Sequence, residues 1–180
     1  MDELPPWLVL MSENQVLRDV LHELAANPQF LETVGSALAG DSPFPVWVGG
    51  MDFLERMNST RPRKDRVQPG KELGAITMFN RSADGTAGGA GVVVDIDRLH
   101  KLARQDSALA KQYVRDALLH EFGHVLPVAR SRSLSDRTFD PKPGDPNAAQ
   151  HPAIQSENAL RQLLGLKPKR HYGLLDPSLR

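Results

Sequence analysis

The run His120-Glu121-Phe122-Gly123-His124 carries the chemistry of this chain. Two histidines four residues apart on a helix project from one face about a turn apart, so their ring nitrogens can converge on a single Zn²⁺ with bonds of about 2.0–2.1 Å. Glu121, beside the first of them, faces the same cleft without binding the metal. From there it can take a proton from water and pass it to a leaving amine. A zinc ion lowers the pKa of water bound to it from about 15.7 toward 7, so the nucleophile exists at neutral pH. Gly123 lies between the two ligands, where glycine costs a helix roughly 1 kcal/mol relative to alanine, so another element is expected to pack close there. The bland alternative is two histidines on an exposed helix face with Glu121 solvated. The apolar flanks, Ala117-Leu118-Leu119 before and Val125-Leu126 after, argue against it. The chain carries its own control at Leu21-His22-Glu23-Leu24-Ala25-Ala26, where the second histidine is missing and His22 and Glu23 read as helix-surface residues.

A catalytic zinc takes three protein ligands and keeps one position open. The metzincin pattern needs a glycine and a histidine three and six residues beyond the second histidine; Pro127 and Arg130 stand there, which excludes it. The other common solution is a glutamate on a later helix, and Glu157, among Ile154, Ala159, Leu160 and Leu163, is the expected third ligand. His151 is its rival, although it sits in a proline-rich loop that fixes ligand geometry poorly. Peptide hydrolysis also needs a donor for the oxyanion, worth about 3–4 kcal/mol. Tyr172 is the first choice and His171 the second; a tyrosine covering the edge of the core is the plainer reading. Arg161, one turn after Glu157, either orients that carboxylate or forms a surface pair with it.

The elements that must position these residues can be read from spacing. Leu109, Tyr113, Ala117, His120 and His124 form one stripe of a helix capped by Asp106 or Ser107 and expected to end at Pro127. Ile154 to Leu164 resumes helical periodicity and stops at Gly165. Between them lie five prolines, counting Pro127 and Pro152, and few apolar residues. That stretch is long for a structureless loop, so it is either disordered or a functional surface beside the cleft. Upstream, Ser12 to Ala39 reads as two helices broken at Asn27-Pro28, with Ser12 as first cap. Pro43 to Gly50 reads as a short strand, and Met51 to Met57 as a helical turn or two. Gly74–Asn80 and Gly91–Asp97 form an expected antiparallel hairpin, joined by a linker with Asp84-Gly85 and Gly88-Gly89. Asp97 is the expected cap of the helix through Arg104.

Composition sets outer bounds. The 180 residues suffice for one core, and the formal net charge of zero gives no support for a nucleic-acid partner. Arg61, Arg63, Lys64 and Arg66 are punctuated by Pro62, Pro69 and Gly70 and read as a solvated loop. Cysteine is absent, so disulfides are excluded and any metal must be held by nitrogen and oxygen. The first residues, two acids and two prolines before a short apolar run, make a poor signal peptide. No apolar run approaches the ~20 residues of a membrane span.

Two motifs together, "LLHEFGHVL" and "SENALRQLLGLKPKRHY", resemble the NleD-like family of bacterial zinc metallopeptidase effectors and toxin domains. In that family a His-Glu-x-x-His helix precedes a Glu-Asn-x-x-Arg helix, a turn with proline, then a basic residue and a tyrosine. The likeness runs from about Ile76 to Tyr172 and departs at the turn, where Lys167 precedes the proline. It implies one zinc per chain with His120 and His124 as ligands, a general base at Glu121, a role at the metal for Glu157, and Tyr172 at the position of the family tyrosine. It also implies secretion without a classical signal peptide, a protein substrate in the cytoplasm of a target cell, and a secretion chaperone or delivery apparatus as partner. A cytoplasmic protein is the alternative location. The expected fold is α+β and zincin-like: a small, mostly antiparallel sheet on the motif helix, with the Glu157 helix across the cleft and an edge strand, Ala75–Asn80 or Gly91–Ile96, holding extended substrate. Residues 71–180 would form this metallopeptidase core. Residues 1–70, mostly helical and expected to pack on the same domain, stay open between a lid, a targeting part and a chaperone-binding segment. The expected activity is a gluzincin-like endopeptidase; the alternatives are a non-catalytic zinc-stabilised binding module and a zinc hydrolase of a non-protein amide. Glu121 separates the second from the first, because a structural zinc closes its fourth position and has no use for an acid there.

Overall fold

Apolar residues at a period of two build a sheet here, and others at helical spacing build the layers that cover it. The computed structural model describes residues 3–69, 74–134, 140–142 and 144–172. Its order is β1 (Leu8–Leu10), α1 (Gln15–Ala25), α2 (Pro28–Leu38), β2 (Val46–Gly49), α3 (Met51–Ser59), β3 (Ala75–Arg81), β4 (Ala87–Val94), α4 (Ile96–Leu102), α5 (Ser107–Ser131) and α6 (Pro152–Leu163), a mixed α+β architecture.

The four strands lie in the order β1-β2-β4-β3. β1 pairs with β2, and β2 with β4, in parallel; only the β3–β4 hairpin is antiparallel. The expected mostly antiparallel sheet is therefore corrected. The connection from β1 to β2 carries α1 and α2, and that from β2 to β4 carries α3 and β3, which gives the chain length to return and lie parallel. The hairpin turn centres on Asp84-Gly85, where the Asp84 carboxylate accepts from the Thr86 backbone and hydroxyl at 2.9 and 2.7 Å. Gly88 and Gly89, read as turn formers, lie within β4.

Alternation sorts the sheet into two faces. Leu8, Val46, Val48, Ala90, Val92 and Val94 join a core with Leu17, Phe30, Val34, Val114, Phe122 and Val125 of the helices. On the other face Met78 and Val93 pack with Phe53 and Leu54 of α3. The large core thus takes residues from both sides of position 70.

Local signals place the helix starts. Asn14 caps α1 in place of Ser12, whose hydroxyl instead accepts from the Asn14 backbone. Asn27 caps α2 with Pro28 following, Asp95 rather than Asp97 caps α4, and Asp106 caps α5. Pro127 does not end α5, which runs on to Ser131. The ring removes one backbone donor, but Val125, Leu126, Val128 and Ala129 around it are buried, and their packing carries the last turn. Arg63, Lys64 and Arg66 are exposed, and among the described residues no helix is long and apolar enough to cross a membrane.

α6 crosses α5 at Gly123. A Cβ added there would stand 2.6 Å from the Ala153 carbonyl oxygen and 3.1 Å from the Glu157 nitrogen, so glycine lets the two backbones touch. His151 and Pro152 start α6, and Gly165, at φ +67°, follows its end.

Candidate metal centre

α5 sets His120 and His124 side by side on its buried stripe, 0% and 5% exposed. Their rings meet edge to face at 4.8 Å, and the two Nε2 atoms are 3.2 Å apart. Asp140 comes from the proline-rich stretch after α5. Its Oδ1 lies 2.7 Å from Nε2 of His120 and 2.9 Å from Nε2 of His124. These three residues form a group that can hold a metal ion. Their separations let all three atoms reach one ion at about 2.0–2.2 Å, and two imidazoles with a carboxylate suit a borderline divalent metal. The residues fit the group.

Glu157, the expected third ligand, is brought to the same histidine from the other side. Its Oε2 is 2.8 Å from Nδ1 of His120, not from the Nε2 atoms that converge. The carboxylate is fully buried and further contacted by Lys169 Nζ at 3.4 Å and by Arg161 Nη1 at 3.4 Å. Arg161 also donates to Asp116 at 2.8 Å and to the Lys167 carbonyl at 2.7 Å, so it is a buried anchor rather than a surface pair. Asn158 clamps the returning chain: its amide donates to the Lys169 carbonyl at 2.8 Å, and its carbonyl accepts from the Lys169 backbone at 2.6 Å. In this way each polar residue of the Glu-Asn-x-x-Arg segment is partnered, with Lys169 shared between Glu157 and Asn158.

Glu121 is 3% exposed and accepts from the Thr77 hydroxyl of β3 at 2.6 Å. Burial pushes its carboxyl up, against the neighbouring His120 and His124 charges and the Thr77 hydroxyl, which favour the ionised form. Tyr172 donates to Asp140 Oδ2 at 2.9 Å, and its ring stands 5.9 Å from that of His120. His151, the rival ligand, caps α6 by accepting from the Ala153 backbone at 3.4 Å. His171 is exposed.

Burial alone would depress His120, yet its hydrogen bonds to Asp140 and Glu157 prevail and raise it to about 9. Burial likewise works against ionised Asp140, but the hydrogen bonds from His120 and His124 hold it well below the usual carboxylate range. Glu157 is also lowered against its burial, chiefly by the charge of Lys169 and the hydrogen bond from His120.

Sequence reasoning missed Asp140, Thr77, Asp116 and Lys169. The only signal for Asp140 was the length of its loop, read as a functional surface or disorder. Lys169 stands among the basic residues before Tyr172, and nothing in the sequence marks it as fully buried. Compared with protein-family models, with curated proteins and with solved structures, the chain matches none.

Proposed function

We propose that the chain is a zinc-dependent endopeptidase on a zincin-like fold, related to the NleD-like effectors and delivered to act on a protein in a target cell. The observation that carries the reading is the convergence of His120 Nε2, His124 Nε2 and Asp140 Oδ1 beside the buried carboxylate of Glu121. Those three residues would hold the ion. Bound there, zinc supplies a Lewis acid that activates water near neutral pH and polarises a carbonyl.

The chain's own residues do the rest. Glu121 accepts the proton of the attacking water and delivers it to the leaving amine nitrogen; a carboxyl raised by burial suits both halves of that transfer. Thr77 holds one oxygen of Glu121 and leaves the other for the water. β3 is an edge of the sheet, and its Thr77 reaches the site, so an extended substrate paired to β3 would present its backbone to Glu121. Of the two expected substrate strands, β4 is paired on both sides, which leaves β3. The Tyr172 hydroxyl, at the Asp140 carboxylate, is near enough to the centre to serve as oxyanion donor.

The test is zinc content per chain, measured by elemental analysis on protein made without a histidine tag, together with cleavage of a mixed peptide pool. About one zinc per chain is expected in the wild type. Glu121→Gln should keep the zinc and lose roughly 10²–10⁴-fold in cleavage. A folded wild type that takes up no zinc sinks the proposal, and a Glu121→Gln variant that cleaves normally removes the peptidase mechanism.

A further inference from the structure

We propose that Glu157 acts as the positioning carboxylate of His120 rather than as a ligand to the ion, with Lys169 as its buried counter-charge. The proposal rests on the metal reading above. The two nitrogens of an imidazole point to opposite sides of the ring, and here they have different partners. Nε2 of His120 joins Nε2 of His124 and Asp140, while Nδ1 meets Glu157 Oε2 at 2.8 Å. A proton kept on Nδ1 by that carboxylate leaves the Nε2 lone pair free for a metal and fixes the plane of the ring.

Both oxygens of Glu157 are committed. Oε2 serves His120 and Lys169, and Oε1 serves Arg161, which is held in turn by Asp116. The contact at Gly123 pins the start of the Glu157 side chain, because a Cβ on Gly123 would stand 3.3 Å from the Cβ of Glu157. Glu157 therefore meets the His120 ring along its Nδ1 side. His124 shows what an unassisted ligand looks like at this centre: its Nδ1 is buried with no hydrogen-bond partner among the described residues. Lys169 is fully buried with its ammonium on Glu157, and Asn158 holds its backbone at both ends.

Cobalt(II) is the probe, because its visible absorption reports ligand identity independently of turnover. Metal-free wild type, Glu157→Gln and Asp140→Asn are titrated with cobalt. Glu157→Gln is expected to keep the wild-type band shape while binding 10–100-fold more weakly. Asp140→Asn should change the bands or abolish binding. Shifted or missing bands in folded Glu157→Gln, or wild-type bands in Asp140→Asn, overturn the proposal and make Glu157 the third ligand. Asp140 is 38% exposed at its side chain, so that second variant decides the matter even if Glu157→Gln does not fold. A wild type that binds no cobalt removes the metal reading itself, an outcome distinct from both.

Discussion

Where α5 meets α2, Phe122 sets its ring edge-on against Phe30 at 5.8 Å, inside a core of leucines and valines. Where the same helix meets α6, Asp116 and His120 face Arg161 and Glu157, and Lys169 closes the group from the following chain. The apolar side is stabilised by area removed from water, a term that is non-directional and tolerates repacking. The polar side gains little net stability from its ion pairs, because taking charges out of water offsets their attraction. What it gains is geometry: Arg161 ties Asp116 of α5 to Glu157 of α6, and Glu157 in turn holds His120 and Lys169. One face of α5 keeps the chain folded, and the other aims the histidines.

The sharpest way to break this contrast is to damage each side equally and read both stability and metal. Phe30→Ala and Arg161→Met should each cost about 3–5 kcal/mol, measured by denaturant unfolding, the first through a cavity and the second by leaving buried acids unpaired. Phe30→Ala should keep its metal affinity in the folded fraction, whereas Arg161→Met should lose it. Equal metal affinity in the two variants would mean that the faces do not differ in role.

pH separates the faces without mutation. The folded His120 is raised to about 9, against about 6.5 in the unfolded chain. The stabilisation from its carboxylate partners is therefore full below about 6.5 and is lost as pH climbs through about 9. Chelator-treated protein should melt at progressively lower temperature across that window. Zinc-loaded protein, in which the ion takes the proton's place, should not follow it.

A smaller effect is expected at the crossing point. Gly123→Ala drives a methyl toward the Ala153 carbonyl, so α6 must retreat, at about 1–3 kcal/mol. Zinc affinity should fall with it, because Glu157 moves with α6. The smallest effect belongs to Lys111, which pairs with Glu23 at the surface between α5 and α1. Lys111→Ala should change stability by less than about 1 kcal/mol and leave zinc content untouched.

What could be read from the residues divides along the same line. The helix break at Asn27-Pro28, the hairpin around Asp84-Gly85, the stripe through His120 and His124, and the close approach at Gly123 all follow from neighbours in sequence. Strand direction did not, since it depends on how far α1, α2 and α3 carry the chain before it returns. The end of α5 was misread because a proline's local penalty is smaller than the packing of Val125, Leu126, Val128 and Ala129. Glu157 was singled out as an acid among apolar neighbours, but which nitrogen of His120 it addresses depends on the crossing of two helices. Asp140 and Thr77 reach the centre only through tertiary geometry.

The Asn158 clamp has a consequence for when the centre comes into being. Synthesis runs from the N-terminus, so α5 and both histidines are made before Asn158, Lys169 and Tyr172 are joined to the chain. Until the clamp closes, Glu157 lacks its cation and Asp140 lacks the Tyr172 hydroxyl, whereas the Phe30–Phe122 contact can already form. The histidines are thus made before the residues that aim them, and the centre cannot be complete until Lys169 and Tyr172 are in the chain.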